Sequence, residues 1–521
     1  MANDPIQNGA GAGGLPADNA PVQDIEKPVA NVSLDKGPGP APVQAKTSVA
    51  AKPERPSFAK RLKRWTKIAA LSLLGYILLA AIAHPVLVAA WHYLPIIVAV
   101  ALIPAAVFGV RALSARGKAL SRKALAITSL SYLAFLGWVV TANVSQTIIN
   151  WQMASSLDPK TVADLPHTRD NRIVARSTAA KYVKNAITDN RLVGKEPHLV
   201  REIGQDGKTV MWWQSPLAYN VWYGTPFGSV SSVVRIDAED ANMNVDVKSG
   251  KDAFFLFGDD SWVTELLFRV THPFSERAET VYWQKDNGDW SMLISSVSYR
   301  PTWTLTMVPT LSAVMEVGQY GGFSLYSRDT AAQKFEGAAL YPPTLAREYA
   351  EAYATYHRGL WNPTFSQLEL FEISEPPADP KKTETNKFPY YQDLDSMGLQ
   401  LVVGLEPHGG SLTRVLFFNG ITGAPGVYAV PDSVRLNGPS KALANVHNAE
   451  PSADWSQYEE AEPRLVNGKA GTFWLVTIIR ADTSRAFVML VAVDARTLKA
   501  HRFNDVESFK AFLSTNPVAP K

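Results

Sequence analysis

Two long apolar stretches dominate the hydrophobic pattern of the chain: Ile68 to Val110 and, after a basic break, Leu125 to Ile149. The first is about twice the ~20 residues that a helix needs to cross the hydrocarbon core of a bilayer, so it predicts two passes; the second predicts a third. Proline and interfacial aromatic residues place the hairpin turn of the first stretch between His84-Pro85 and Trp91-His92-Tyr93-Leu94-Pro95. His84 and His92 then fall in the headgroup zone, where polar residues at a turn are expected without any proton-handling role.

Beyond Trp151 the period shortens. Arg172 to Ile187 still carries Val174, Tyr182, Val183, Ala186 and Ile187 at helical spacing, with Ser177 or Thr178 placed to cap. Strand-like runs follow at Thr209–Trp213, Ser231–Ile236, Ala253–Phe257, Val263–Val270, Thr280–Trp283, Trp290–Val297 and Thr302–Val308. Turn signals such as Gly204-Gln205-Asp206-Gly207 and Asp286-Asn287-Gly288-Asp289 separate them, the pattern of antiparallel hairpins. A helix is predicted from Thr344 to Arg358, with Leu345, Tyr349, Tyr353 and Tyr356 along a core-facing stripe and a stop at Gly359. The polar, proline-rich stretch Glu375 to Lys387 reads as a linker between two lobes. Strands resume at Leu399–Gly404, Thr413–Phe418, Gly426–Ala429, Thr472–Ile479 and Ala486–Val493, and a helix closes the chain from Asp505 to Leu513, with Asn504 and Glu507 at capping-box spacing.

The expected fold is α+β: three N-terminal transmembrane helices followed by antiparallel sheets with a few flanking helices, in repeated helix-plus-sheet units. The expected layout is a disordered cytoplasmic tail (1–56), a membrane domain (57–151), a first extracytoplasmic lobe (152–374), a linker (375–387) and a second lobe (388–521).

Charge supplies the orientation. Lys52, Arg55, Lys60, Arg61, Lys63, Arg64 and Lys67 precede the first helix against a single Glu54, and Arg111, Arg116, Lys118, Arg122 and Lys123 fill the loop before the third with no acid among them. Both flanks belong in the cytoplasm, so everything after about Gln152 is extracytoplasmic. A cleaved signal peptide is disfavoured, because the apolar run is too long and too far from the N-terminus. Over the whole chain, 51 Lys+Arg against 48 Asp+Glu leave a net charge of +3, which implies no nucleic-acid partner. There is no cysteine, which excludes disulfides, thiol catalysis and cysteine-held metals, so the exported region is held by its core. Residues 1–56 have few large apolar side chains, and the glycine run Gly9 to Gly14 has neither the strand nor the helix that a phosphate loop needs.

Two distant segments share a layout. Glu196-Pro197-His198-Leu199-Val200 leads to Trp212-Trp213 and then to Val233-Val234-Arg235-Ile236-Asp237-Ala238; Glu462-Pro463-Arg464-Leu465-Val466 leads to Phe473-Trp474 and then to Leu490-Val491-Ala492-Val493-Asp494-Ala495. Fainter echoes of the last element occur at Asn419-Gly420-Ile421-Thr422-Gly423-Ala424 and Ser327-Arg328-Asp329-Thr330-Ala331. Asp and Asn suit the turn that ends such a strand, because their side chains bond nearby backbone N–H groups. At these residues the chain resembles PepSY-type domains, small exported modules in which a helix precedes an antiparallel sheet. Val493-Asp494-Ala495-Arg496-Thr497-Leu498 carries the best match, with Leu498 where that family usually has glycine. The resemblance implies a non-enzymatic binding or inhibitory module of the cell envelope and no catalytic residues.

No metalloprotease, serine-nucleophile or nucleotide-binding motif is present, and the histidines after Trp151 lack ligand-pair spacing. Asp259 and Asp260 form, with Asp252 and Glu265, the densest acidic group; a Gly-Asp-Asp-Ser turn between strands explains them better than a cation site. Most of the tryptophans Trp212, Trp213, Trp222, Trp283, Trp290 and Trp303 fall at alternating strand positions, which favours core packing over a binding face. The residues singled out for binding or for turns are Trp212, Trp213, Asp259, Asp260, Trp474 and Asp494, with no catalytic, cofactor or metal set. The expected function is that of a membrane-anchored envelope protein that binds or scaffolds an envelope protein partner; an exported hydrolase is the alternative. The lipid bilayer is the other expected partner, and the oligomeric state is left open.

Overall fold

The apolar stretches form α1 (Phe58–His92), α2 (Leu94–Ala115) and α3 (Arg122–Val144). The computed structural model describes residues 58–115, 122–170, 172–203, 209–220, 228–240, 244–249, 253–285, 287–376, 388–407, 411–482 and 484–515. The expected tail, the Gly204–Gly207 turn, Trp222, Asp252 and residues 377–387 of the expected linker lie outside them. Two stretches, Leu62–His92 and Ala124–Val144, are long and apolar enough to cross a membrane, and the shorter apolar stretch Leu94–Gly109 lies between them. α1 runs through Pro85 without a break. The break falls at Tyr93 alone, whose N–H still bonds Ala89 O and whose carbonyl accepts from Ile97, while Pro95 has no N–H to offer.

The second apolar stretch is also interrupted, at Ser145, and its end belongs to another structure. Ile148, Met153 and Ala154 on α4 (Gln146–Ser156) are buried, and Met153 and Ala154 share a core with the helix and sheet of the third unit described below. The apolar side chains there serve a protein core.

The rest of the chain repeats one plan. After β1 (Lys160–Val162) and β2 (Thr168–Asp170), α5 (Arg176–Asn185) and the short β3 (Leu192–Gly194) lead into β4 (His198–Ile203), β5 (Thr209–Tyr219), β6 (Val230–Asp237) and β7 (Val245–Ser249). Next, α6 (Trp262–Thr271) leads into β8 (Ser275–Gln284), β9 (Trp290–Pro301), β10 (Met307–Gly318) and β11 (Phe323–Ser327). After α7 (Arg328–Lys334), α8 (Pro343–Tyr356) and β12 (Glu372–Ile373) lead into β13 (Tyr390–Leu394), β14 (Gly398–Glu406), β15 (Arg414–Asn419) and β16 (Pro425–Ala429). Finally α9 (Pro439–Val446) leads into β17 (Tyr458–Gly468), β18 (Gly471–Arg480), β19 (Phe487–Asp494), β20 (Ala500–Phe503) and the closing α10 (Val506–Ser514). Each of the four sheets thus contains a run of four consecutive antiparallel strands preceded by a helix. The third sheet is widened by β12, by β2 beside β13, and by β1 in parallel beside β16.

Alternating side chains bury both faces of these sheets, and the shared cores place each sheet against the next. Ala218 and Val233 of the first pack with Met292 and Met315 of the second. Leu293 and Val314 of the second pack with Leu340 and Ile421 of the third, and Val308 and Leu311 join its other residues. Val402 and Phe417 of the third pack with Trp474 and Val491 of the fourth. Leu475 and Leu490 of the fourth return to Trp213 and Ile236 of the first. The four sheets therefore close a ring in chain order, the plan of a small β-propeller. The first strand of each blade is innermost: the Tyr282 N–H donates to His198 Nε2 at 2.8 Å, Arg201 Nε to Asp393 at 3.0 Å, and the Leu465 N–H to Tyr390 Oη at 2.7 Å. The fourth strands β7 and β11 are mostly exposed.

Several local expectations change. Val263 to Val270 is helix α6, not a strand: Ser261 caps it by accepting from the Val263 N–H at 3.2 Å, and Glu265 pairs with Arg269 one turn on. The Gly-Asp-Asp-Ser turn therefore opens a helix. Ala253–Phe257 contributes only an isolated pairing of Phe255 with Val230, and Thr302–Thr306 is a loop, with Leu305 at φ 65°. α10 is capped by Asp505, one residue later than expected. The expected lobes share a core and a sheet across the 375–387 stretch, since β12 pairs with β14 on its far side. A chain carrying an engineered protease site between residues 377 and 387 is therefore expected to stay associated after cutting, eluting as one species in size-exclusion chromatography under native conditions and separating only in denaturant.

Candidate functional site

Counting along the ladders aligns the blades. In the first, Val200, Trp212 and Asp237 lie side by side; in the fourth, Val466, Phe473 and Asp494 do; in the third, Gln392, Gln400 and Asn419 do. One step back, Leu199–Trp213–Ile236 matches Leu465–Trp474–Val493. The two segments alike in sequence thus hold the same register, and their Asp residues do the same work. Asp237 accepts from the Glu239 N–H, and Asp494 from the Arg496 and Thr497 N–H groups, each at 2.8 Å. Asn419 repeats this with Ile421 and Thr422, whereas Asp329 lies in α7 and not at such a turn.

Three residues before each of these first-strand positions comes proline in three blades: Pro197, Pro389 and Pro463. The residue before each is Glu196, Phe388 or Glu462. In the second blade, where Trp283, Ser291 and Gly318 are aligned, the same count leads to Glu279. These positions converge. All of them line one cavity of about 510 Å³ at the ring's centre, together with Arg172, Arg176, His198, Arg347, Tyr390 and Tyr391.

The cavity is strongly charged and internally matched. Arg172, nearly buried, approaches Glu462 to 2.6 Å, and the backbone N–H of Arg176 at the start of α5 donates to the other Glu462 oxygen at 3.0 Å. The expected caps Ser177 and Thr178 lie inside the helix, so α5 receives its anion from the fourth blade. Glu462 reaches there from a bulge in which its own φ is 44°, a conformation costly for a side-chain-bearing residue. Burial alone would raise the Glu462 carboxyl, but the Arg172 and Arg464 guanidiniums outweigh it and hold the group below the ordinary range. At the exposed rim the Arg176 guanidinium donates to Glu196 at 2.9 Å and to the Pro197 carbonyl at 3.1 Å. Arg347 forks onto Glu375 at 2.8 and 2.9 Å. Burial pulls His198 down to about 3, so it is neutral and its Nε2 accepts the Tyr282 N–H. Glu279 is pushed up by burial, opposed by Arg176 and reinforced by Glu196.

Comparison with protein-family models, curated proteins and solved structures finds no match.

The residues marked from the sequence are dispersed around this cavity. Trp213 alone lines it, buried, with its Nε1 donating to Val174 O and the Arg172 guanidinium over its ring. Trp212 lies under Arg235, and Trp474 is buried between the third and fourth blades, donating to Asn437 O. Asp260 pairs with Lys195, and the Asp259 carbonyl accepts from Arg277, both at the start of α6. Among the described residues no three His, Cys, Asp or Glu side chains come together as a metal site would require. The Glu-Pro pairs were visible as part of the sequence repeat; Glu279, Arg347 and Tyr391 carry no signal in the sequence, because only ring closure brings them together.

Arg172→Met is expected to destabilise the fold by about 3 kcal/mol in denaturant unfolding, because it leaves Glu462 in a largely buried site without its guanidinium; Arg172→Met with Glu462→Leu recovers part of that loss. Because the folded carboxyl of Glu462 is depressed, its stabilisation is present above the ordinary Glu range and lost as pH falls through the lower folded value. The depressed His198 makes the native fold lose stability as pH drops below about 6.5 toward 3. In His198→Gln, which keeps an acceptor for the Tyr282 N–H, melting temperature is expected to depend less on pH in that window.

Proposed function

We propose that this chain is a multi-pass protein of the cell membrane, with its N-terminus in the cytoplasm, whose exported ring of four PepSY-like units binds or scaffolds an envelope protein partner at its central cavity. The basic residues before α1 and between α2 and α3 support three passes with the ring outside. The ends of the apolar helices support it too: Asn143 at the end of α3 donates to Leu305 O and accepts from the Met307 N–H, each at 3.0 Å, tying the helix to the start of β10.

The observation that carries the binding reading is the cavity. Its volume is within the ~300–1,000 Å³ usual for ligand sites, every blade contributes to it, and its guanidiniums are committed to carboxylates in a fixed network. Such a network positions a polar segment of a partner. One feature favours the hydrolase alternative: Glu279, lifted by burial, shares the cavity with Glu196 and faces Arg176.

Filling the cavity separates these readings from a passive anchor. Ala180→Trp or Thr344→Trp in the full chain is expected to abolish cellular function while the protein still accumulates in the membrane, and Glu279→Gln is expected to leave function intact. Loss of function in an abundant, folded Glu279→Gln protein would transfer the reading to the hydrolase. Protease added outside spheroplasts is expected to reach the chain after Trp151 and spare the tail before Ser57; the reverse result would overturn the orientation.

A further inference from the structure

The first apolar helix is too long for the membrane and does not stand clear of the ring. Leu62–His92 is 31 residues, some 45 Å of helix against a hydrocarbon core of ~30 Å. Its second half is bonded to the second blade along most of its length. Tyr76 Oη donates to Val270 O at 2.6 Å, Arg269 donates to Ala81 O at 2.8 Å, and His84 Nε2 lies 3.2 Å from His272 O. Trp91 Nε1 donates to Tyr299 O at 2.9 Å, and its ring lies against Phe274. Ala80, His84 and Val88 are buried in this contact, while Ile82 and Val86 on the opposite face are 79% and 67% exposed.

Tyr76 lies only nine residues after Lys67, roughly 14 Å along the axis. An upright α1 would carry the end of α6 deep into the hydrocarbon, with the charges of Glu265 and Arg269. The 272–274 turn is held instead beside Trp91, 24 residues and roughly 36 Å along the axis beyond Lys67, which puts it level with the outer headgroups. The rim around it carries the side chains an interface selects. Trp303 is 79% exposed and Phe274 41%, and Arg300, at the end of β9 just before the loop, is exposed. The loop holding Trp303 is fixed to the end of α3: Trp138 Nε1 donates to Thr304 O at 3.2 Å, and Trp303 packs edge-on against Trp151.

We infer that this rim, formed by the 272–274 turn and the 302–306 loop, is seated in the outer leaflet at the boundary of headgroups and acyl chains, so that the ring rests on the bilayer on its second blade. The inference rests on the three-pass reading above. The occupant of this surface is lipid, because the surface is continuous with the ends of two apolar helices and its exposed rings lie among theirs.

The absence of cysteine makes the test direct. Full-length Phe274→Cys, Trp303→Cys and, as a second position on the same loop, Leu305→Cys are labelled with a polarity-sensitive fluorophore in vesicles of phosphatidylcholine and phosphatidylglycerol containing spin-labelled lipid. Leu133→Cys on α3 and Val247→Cys on β7 serve as references. Quenching at the rim several-fold above that at position 247 is expected. Quenching at 133 with the rim no different from 247 overturns the inference, whether the rim meets water, a second copy or another protein. No quenching at 133 would overturn the three-pass reading instead.

Discussion

The ring depends on the contact that joins its last blade to its first, where Arg172 and the start of α5 take hold of Glu462. Propellers of consecutive blades have one seam, and here side chains and shared core close it in place of a strand exchanged between the two terminal blades. The contact is expensive in isolation: a guanidinium and a carboxylate leave water, and Glu462 adopts a left-handed backbone. It persists because the surroundings overdetermine it. Arg464 adds a second positive charge, the helix adds its unsatisfied N–H groups, and Leu475, Leu490, Trp213 and Ile236 exclude water from the adjoining core. Lys510 on α10 reaches back to Glu239 at 2.9 Å and adds a second stitch.

The same geometry explains why a cavity exists at all. Four first strands meet around one axis, and proline just before three of them removes a backbone donor where no neighbouring strand could accept it. The space left over is lined by whatever side chain precedes that proline, which in the first and fourth blades is a glutamate. The arginines answer those charges, so the centre is polar yet nearly neutral. Glu279, reached in the second blade through a bulge and without proline, is the carboxyl least matched by a guanidinium of its own.

Much of this was legible in the sequence, and the omissions have physical causes. The apolar runs, α5, α8, α10 and most strands followed from period and turn residues. The segments from Glu196 to Asp237 and from Glu462 to Asp494, alike in sequence, lie at matching positions in their strand ladders. Val263 to Val270 misled because its apolar content suits a strand, whereas Ser261 and the Glu265–Arg269 pair make it a helix. Ile148 and Ile149 read as membrane because a core-facing helix placed straight after a long apolar one has the same composition. The division at 375–387 followed composition, but strand pairing across it was invisible, since β12 is two residues long. The cavity was the least legible part, because it is assembled from residues nearly three hundred positions apart.

That separation has a consequence for biogenesis. Synthesis delivers α5 first, and its cap arrives only with the fourth blade. Until then Trp213, Ile236 and the starting N–H groups of α5 lack the fourth-blade partners that cover them, as do Val402 and Phe417 of the third. The first blade can therefore be completed only after almost the whole chain has been made.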